Sequence, residues 1–177
     1  MREAAYIIVA LVALQRLAEL VYAEHNTRAL KARGAVEIGR AHYPLIVLLH
    51  AAWLVAVVFV LPDDLHINWI LIGVFAVLQG LRVWVLATLG PYWTTRIITL
   101  KDAPLVRKGP YRFVRHPNYL VVSAEILVLP LAFREWWVAA VFTVLNAAML
   151  AWRIRQENRA LSTRRELADP GAAAAKG

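Results

Sequence analysis

Long apolar runs separated by short polar segments dominate this sequence. A membrane-spanning helix needs roughly 20 consecutive apolar residues. The first three runs reach about that length and the last two are shorter. The pattern predicts an all-α fold, a polytopic integral membrane protein of about five transmembrane helices at residues 4–22, 43–61, 67–89, 119–133 and 136–152.

Polar and turn-forming residues end the first three runs. Residues 23–42 are polar and contain glycine, so we expect them to connect the first two spans outside the helices. Pro62-Asp63-Asp64 ends the second span and Gly90-Pro91 the third, because prolines and paired acids do not continue a helix through hydrocarbon. Residues 92–118, which are basic and rich in glycine and proline, are expected to lie outside the membrane.

Arg134-Glu135 separates the last two runs and predicts a helical hairpin. At 1.5 Å per residue the first arm reaches only about 22 Å, less than the roughly 30 Å of a hydrocarbon core. A charged amphipathic tail helix is expected over 153–167 and a disordered tail over 168–177. Residues 1–167 then form one membrane-embedded domain.

The composition agrees with lipid as part of the solvent, since 60% of the residues are hydrophobic and the mean hydropathy is +0.54. The sequence has no cysteine, which excludes disulfides and thiolate metal sites, and we expect no metal ion. A net charge of +8 could indicate nucleic acid, but no nucleic-acid-binding motif accompanies it. We therefore expect membrane lipids, and no nucleic acid, as partners.

The basic residues are distributed unevenly about the predicted spans. Sixteen of the twenty flank the spans on one side, in residues 23–42, 92–118 and 153–177, and the other side holds only Arg2 and Arg134. Cytoplasmic loops carry the excess of Lys and Arg. The prediction is an N-terminus outside and a C-terminus in the cytoplasm, in what we expect to be a bacterial inner membrane.

Several polar side chains fall inside the predicted spans, where a charge costs about 3 kcal/mol on insertion scales. Arg16 and Glu19 lie on one helix face, as do Gln79 and Arg82. Two interpretations are open: interhelical pairs that hold the bundle together, or a polar cavity open to the cytoplasmic leaflet. The full set, predicted to share the cytoplasmic half or the midplane, is Gln15, Arg16, Glu19, His50, Gln79, Arg82, Glu125 and Asn146.

The densest cluster of reactive side chains precedes the hairpin. Gly109-Pro110 sets a turn, and Pro117 prevents a helix from passing through His116 while favouring a helix start. This places Arg115, His116 and Tyr119 at a helix N-terminus, where backbone N–H groups and the helix dipole favour an anion. Binding of lipid head groups or simple anchoring of the helix is the alternative.

The motifs Gly109-x-Tyr111, Arg115-His116-Pro117-x-Tyr119 and Arg153-Ile154-x-x-Glu157 resemble, in order and spacing, the C-terminal signature of the isoprenylcysteine carboxyl methyltransferase family. The resemblance implies a membrane methyltransferase that uses S-adenosylmethionine. It implies cofactor-binding residues Gly109, Tyr111, Arg115, His116, Pro117, Tyr119 and Glu157. It also places Arg153 and Glu157 beside the amino-acid end of the cofactor or the methyl acceptor.

Two departures bear on the acceptor. Family members that act on prenylated cysteine carry two adjacent acids after the arginine, and here the second position is Asn158. The N-terminal half, with Gln15-Arg16-Leu17-x-Glu19-Leu20 and His42-Tyr43-Pro44, is similar to the compact bacterial subgroup, some members of which O-methylate long-chain alkylresorcinols or alkylpyrones. This resemblance implies a lipophilic small-molecule acceptor that enters from the membrane, and a functional link to a type III polyketide synthase.

The candidate catalytic residues are Arg153, Glu157 and His50. A carboxylate acceptor needs only Arg153 to position it, whereas a phenol or enol benefits from a base, for which Glu157 and His50 are the candidates. A surface ion pair is the structural alternative for Arg153 and Glu157, which are four residues apart. Carboxyl methylation of a prenylated cysteine or another amphipathic acid, and a non-catalytic transport or binding protein, are the competing functions.

The predicted topology can be tested by labelling single cysteines in a chain that has none. Cysteines introduced at Lys101 and Lys176 should resist an impermeant thiol reagent in intact cells, whereas one in the Pro62–His66 turn should react. The opposite labelling pattern would show that the chain is inserted the other way round.

Overall fold

The structure is a computed structural model that describes residues 1–39, 43–100, 106 and 108–168, with side chains described only up to residue 157. Five helices account for most of it, so the expectation of a mainly helical fold is confirmed. They are α1 (Arg2–Ala32), α2 (Tyr43–Phe59), α3 (Trp69–Leu89), α4 (Pro117–Ala132) and α5 (Trp136–Ala168). Two short strands, β1 (Val36–Ile38) and β2 (Ile97–Thr99), pair antiparallel.

Three segments of the described chain are long and apolar enough to cross a membrane: Arg2–Ala32, Trp69–Tyr92 and Trp136–Glu157. Helices α2 and α4 have 17 and 16 residues, which corresponds to only about 25 Å each. Large apolar side chains are exposed along several helices, including Leu11, Leu14 and Leu17 of α1. In water such a surface would be unfavourable, and in lipid it is the expected one.

The helix α1 is longer than the first apolar run. Its last turns were expected to be a polar connection, but they bury Ala23, Asn26 and Leu30. The Asn26 side chain donates hydrogen bonds of 3.1 Å and 2.9 Å to the carbonyl oxygens of Gly90 and Trp93. The exposed polar residues of this stretch, among them His25, Arg28 and Lys31, lie on the other face of a continuing helix, and therefore did not mark its end.

The strand pair joins the segments that follow α1 and α3. Glu37 of β1 accepts hydrogen bonds from Lys31 and, at 2.8 Å, from Arg96. Burial opposes ionisation of Glu37, but these two cations outweigh it and lower its pKa. The Arg96 guanidinium also lies 4.1 Å from the centroid of the Tyr43 ring, which ties the start of α2 to the same cluster.

At its C-terminal end the chain contains one helix where two were expected. Helix α5 runs without a break from Trp136 through the expected end of the span at 152 and on to Ala168. The predicted tail helix over 153–167 is thus a continuation of the last span. Residues 169–177 of the expected tail lie outside the described residues.

An apolar core fills the end of the bundle where α1 begins and where the α2–α3 and α4–α5 turns meet. Trp53, Val57 and Leu129 are fully buried there, together with Phe133. The backbone N–H of Asn68, before α3, donates to the carbonyl oxygen of Ala132 at the end of α4. These contacts hold the two turns against each other.

Glu135 lies buried in the α4–α5 turn, and neither of its carboxylate oxygens has a hydrogen-bond partner among the described residues. Burial raises the pKa of Glu135 to about 8. Between the unfolded value of 4.5 and about 8, the folded protein therefore holds a proton that the unfolded chain has lost. Stability should fall as the pH rises through this window and level off above it.

Replacing Glu135 by glutamine should remove this part of the pH dependence and raise the melting temperature at neutral pH, because no carboxyl remains to be kept neutral. Thermal melts in detergent across about pH 5 to 8 measure both effects. The exposed Asp64→Asn is a charge-matched control and should leave the slope unchanged. A Glu135→Gln variant with the wild-type slope would contradict the assignment.

Candidate active site

The loop before α4 is held against the end of α3. Gly109 has a φ of +55°, and a Cβ atom added to it would lie 2.6 Å from the Thr88 hydroxyl oxygen. Any larger residue would meet both backbone strain and this contact. Gly109 thus allows the short 3₁₀ turn Gly109–Arg112 to approach α3 closely.

His116 is the residue that precedes α4, and Pro117 occupies the first helical turn. Proline suits this position because its fixed φ is helical and its missing N–H has no partner there anyway. The Tyr119 ring stacks on the His116 ring with centroids 5.1 Å apart and an angle of 11° between the planes. The start of α4 therefore presents two parallel aromatic rings.

The Tyr119 hydroxyl connects α4 to α5. It accepts a hydrogen bond of 2.8 Å from Arg153 Nε and donates one of 2.9 Å to Glu157 Oε2. The His116 Nδ1 atom lies 3.8 Å from the same carboxylate oxygen. Arg153 and Glu157 thus meet through tyrosine and not as a surface pair, and Arg153 is buried.

Tyr111, in the 3₁₀ turn, belongs to the same neighbourhood. Burial raises the pKa of its hydroxyl above the ordinary value of 10, and the nearby Tyr119 and Glu157 reinforce the shift. Its hydroxyl therefore stays protonated and remains able to donate a hydrogen bond. Arg115, also predicted in this site, is exposed on the loop next to it.

His50 lies in a different cluster. Its Nδ1 atom is 2.8 Å from the carbonyl oxygen of Ile46, one turn earlier on α2. Its charged neighbours are Arg16, Arg82 and Glu19, not the Tyr119 group. The structure therefore does not bring His50 together with Arg153 and Glu157.

A buried charge network joins α1, α3 and α4 near the middle of the bundle. Arg82 bonds both carboxylate oxygens of Glu19 and, at 3.0 Å, Glu125 Oε2. Arg16 lies 2.7 Å from the same Glu125 oxygen and 3.3 Å from Glu19. Two cations thus face two anions, and the interpretation as interhelical pairs describes this geometry.

Two further polar side chains lie next to, or one to two turns from, motif positions, and only one of them was singled out in the sequence. The Asn118 side-chain oxygen is buried without a hydrogen-bond partner among the described residues. Asn146 Nδ2 donates a hydrogen bond of 3.1 Å to Ser123 Oγ, deeper between α4 and α5. Asn146 was among the polar residues predicted inside the spans, whereas the only sequence signal for Asn118 was its place next to the motif position Tyr119.

These side chains fit the amino-acid end of S-adenosylmethionine. Within the described chain the terminal nitrogens of Arg153 make no hydrogen bond, so they are available to a carboxylate. Glu157 can accept bonds from an ammonium group. The stacked His116 and Tyr119 rings supply an aromatic wall beside them.

The fold and this site define a polytopic helical membrane protein whose reactive side chains lie where the start of α4 meets the second half of α5. The model of the isoprenylcysteine carboxyl methyltransferase family matches residues 69–163, more than half of the chain. The chain belongs to this family. It is accordingly an integral membrane protein of a methyltransferase family whose members use S-adenosylmethionine.

Three curated proteins show the range of the relationship. The Bacillus subtilis protein named "Uncharacterized protein YpbQ" is 37% identical over 88% of this chain and 95% of its own. An uncharacterized protein of Haemophilus influenzae is 28% identical over 77% of this chain and 83% of its own. The "Cobalt-zinc-cadmium resistance protein CzcN" of Cupriavidus metallidurans is 34% identical over 63% of this chain and 54% of its own. No solved structure matches the chain.

Proposed function

We propose that this protein is an S-adenosylmethionine-dependent O-methyltransferase of the bacterial inner membrane, with its site on the cytoplasmic side and a lipophilic acceptor. The observation that carries the proposal is the Tyr119 hydroxyl held between Arg153 and Glu157. It joins the two halves of the family motif, which are 34 residues apart in the chain, into one cluster.

The cofactor, when bound, supplies a sulfonium methyl group. Gly109, Tyr111, Arg115, His116, Pro117, Tyr119 and Glu157 form the cofactor side of the site in this proposal. Arg153 pairs with a carboxylate, and its buried position strengthens that attraction compared with water. Alignment and exclusion of water are what such a site contributes most to the transfer of a methyl group.

Transfer to a phenol or enol also requires that the acceptor oxygen lose its proton. Glu157 is the candidate base, because it lies within the cluster and is only partly buried. His50 is the weaker candidate, since its ring is bonded to its own helix and lies in the other cluster. An acceptor that is already a carboxylate needs no base and only Arg153.

The apolar surface of the helices supports an acceptor that arrives from the membrane. A long-chain phenolic lipid or alkylpyrone is the acceptor that we favour, which implies a type III polyketide synthase as its source. Carboxyl methylation of a prenylated cysteine or another amphipathic acid is the alternative within the family. A non-catalytic membrane protein would not bind S-adenosylmethionine, so stoichiometric binding of the cofactor would exclude that possibility.

Replacing His116 by alanine or Tyr119 by phenylalanine should weaken S-adenosylmethionine binding by about tenfold, the effect of losing one hydrogen bond to a charged group. Both side chains lie at the start of α4, so the protein should stay folded. Isothermal calorimetry in detergent measures the affinity. Unchanged affinity in both variants would show that the cofactor does not bind at this site.

Glu157→Gln distinguishes two roles for the carboxylate. If Glu157 is the general base for a phenol or enol, turnover should fall about 10²-fold or more with little change in cofactor affinity. If it holds the cofactor's ammonium group, affinity should fall and turnover should recover at saturating cofactor. Turnover on a long-chain alkylresorcinol, measured together with cofactor affinity, tests this. Normal turnover at saturation would eliminate Glu157 as the base.

A further inference from the structure

Helix α4 carries two clusters on different faces. Tyr119 and Ser123 contact α5, whereas Glu125 contacts α1 and α3. At 3.6 residues per turn, Ser123 and Glu125 point about 160° apart. Tyr119 lies about 9 Å from Glu125 along the helix axis. The helix thus lies between the charge network and the candidate active site, and its position determines where both sets of side chains lie.

Glu125 is the residue through which the network holds α4. It is completely buried, with an exposed fraction of 0%. Its Oε2 atom lies 2.7 Å from Arg16 and 3.0 Å from Arg82, and its Oε1 atom accepts a hydrogen bond of 2.8 Å from Gln79. Three donors from α1 and α3 therefore converge on one carboxylate of α4.

Such bonds restrict how far α4 can rotate or slide. Hydrogen bonds weaken steeply when the donor–acceptor distance grows or the angle falls, and those that involve charged groups are the strong ones. In a buried site no water replaces a lost donor. Because the Tyr119 hydroxyl bonds both Arg153 and Glu157 at under 3 Å, it tolerates little displacement of the same helix.

We propose that Glu125 is a positioning residue of this methyltransferase: the network holds α4 where the Tyr119 hydroxyl bridges Arg153 and Glu157. The inference rests on the proposed function, in which Tyr119 belongs to the cofactor site. Two of the four charges, Arg16 and Glu19, lie on α1, outside the residues that the family model matches. The N-terminal helix of this chain thereby contributes to the geometry of the C-terminal site.

A double-mutant cycle between the network and Tyr119 tests the proposal. Replacing Arg16 and Glu125 together by glutamine removes their bond while keeping the network neutral overall. This variant should weaken S-adenosylmethionine binding about tenfold, as Tyr119→Phe does. In the Tyr119→Phe background the same replacements should cause no further loss, because the network acts through that hydroxyl.

Asn26→Ala is the matched control. It removes another buried interhelical tie, from α1 to Gly90 and Trp93, that does not involve α4. It should leave cofactor affinity within about twofold of wild type, whereas a general loss of bundle stability would lower affinity in both variants alike. Equal losses in the control and the network variant would overturn the proposal.

The remaining outcomes are also decisive. Unchanged affinity in the network variant, or losses that multiply with that of Tyr119→Phe, would overturn the positioning role and leave the proposed function intact. An unchanged affinity in Tyr119→Phe would also overturn the positioning role, and the proposed site would fall with it only if His116→Ala had no effect either. If the double replacement does not fold, Gln79→Met takes its place, because it removes one neutral donor to Glu125. Gln79→Met should weaken S-adenosylmethionine binding in the wild-type background and have no effect in the Tyr119→Phe background.

Discussion

Pairing of buried charge is the constraint on which the rest of this bundle depends. An ion in hydrocarbon is costly, and an unpaired one more so than a pair. Arg82 lies between Glu19 and Glu125, and Arg16 contacts the same two acids. Because these four residues come from α1, α3 and α4, only arrangements of the three helices that bring all of them together avoid that cost. The network therefore determines the register of the bundle more strictly than apolar packing does.

The two ends of the bundle use different interactions as a result. At the end with the helix turns, apolar packing around Trp53, Leu129 and Phe133 fills the interior. At the other end, hydrogen bonds and aromatic contacts hold the segments, from Asn26 to Trp93 and from Tyr119 to Glu157. The polar side chains of the proposed cofactor site, His116, Tyr119, Arg153 and Glu157, lie at this second end.

The sequence predicted features that depend on local pattern. Each apolar run contains a helix. The motif residues His116, Tyr119, Arg153 and Glu157 lie in one cluster, and their assignment to the cofactor stays a prediction. What it could not predict depends on tertiary contacts. The extension of α1 depends on Asn26 bonding Gly90 and Trp93, and nothing local distinguishes such a residue from the polar start of a loop.

The Tyr119 bridge also limits what Glu157 can do. Its Oε2 atom accepts the tyrosine hydrogen bond and faces His116, and within the described chain Oε1 has no hydrogen-bond partner. One oxygen is therefore left for two proposed roles, holding an ammonium group and receiving the acceptor's proton. A single oxygen cannot do both well in the same complex, because a bond to a cation occupies it and lowers its basicity. If Glu157 holds the cofactor, the acceptor must either arrive already ionised, as a carboxylate does, or lose its proton to another base, for which His50 is the second candidate. If it acts as the base, the ammonium group must rely on other acceptors.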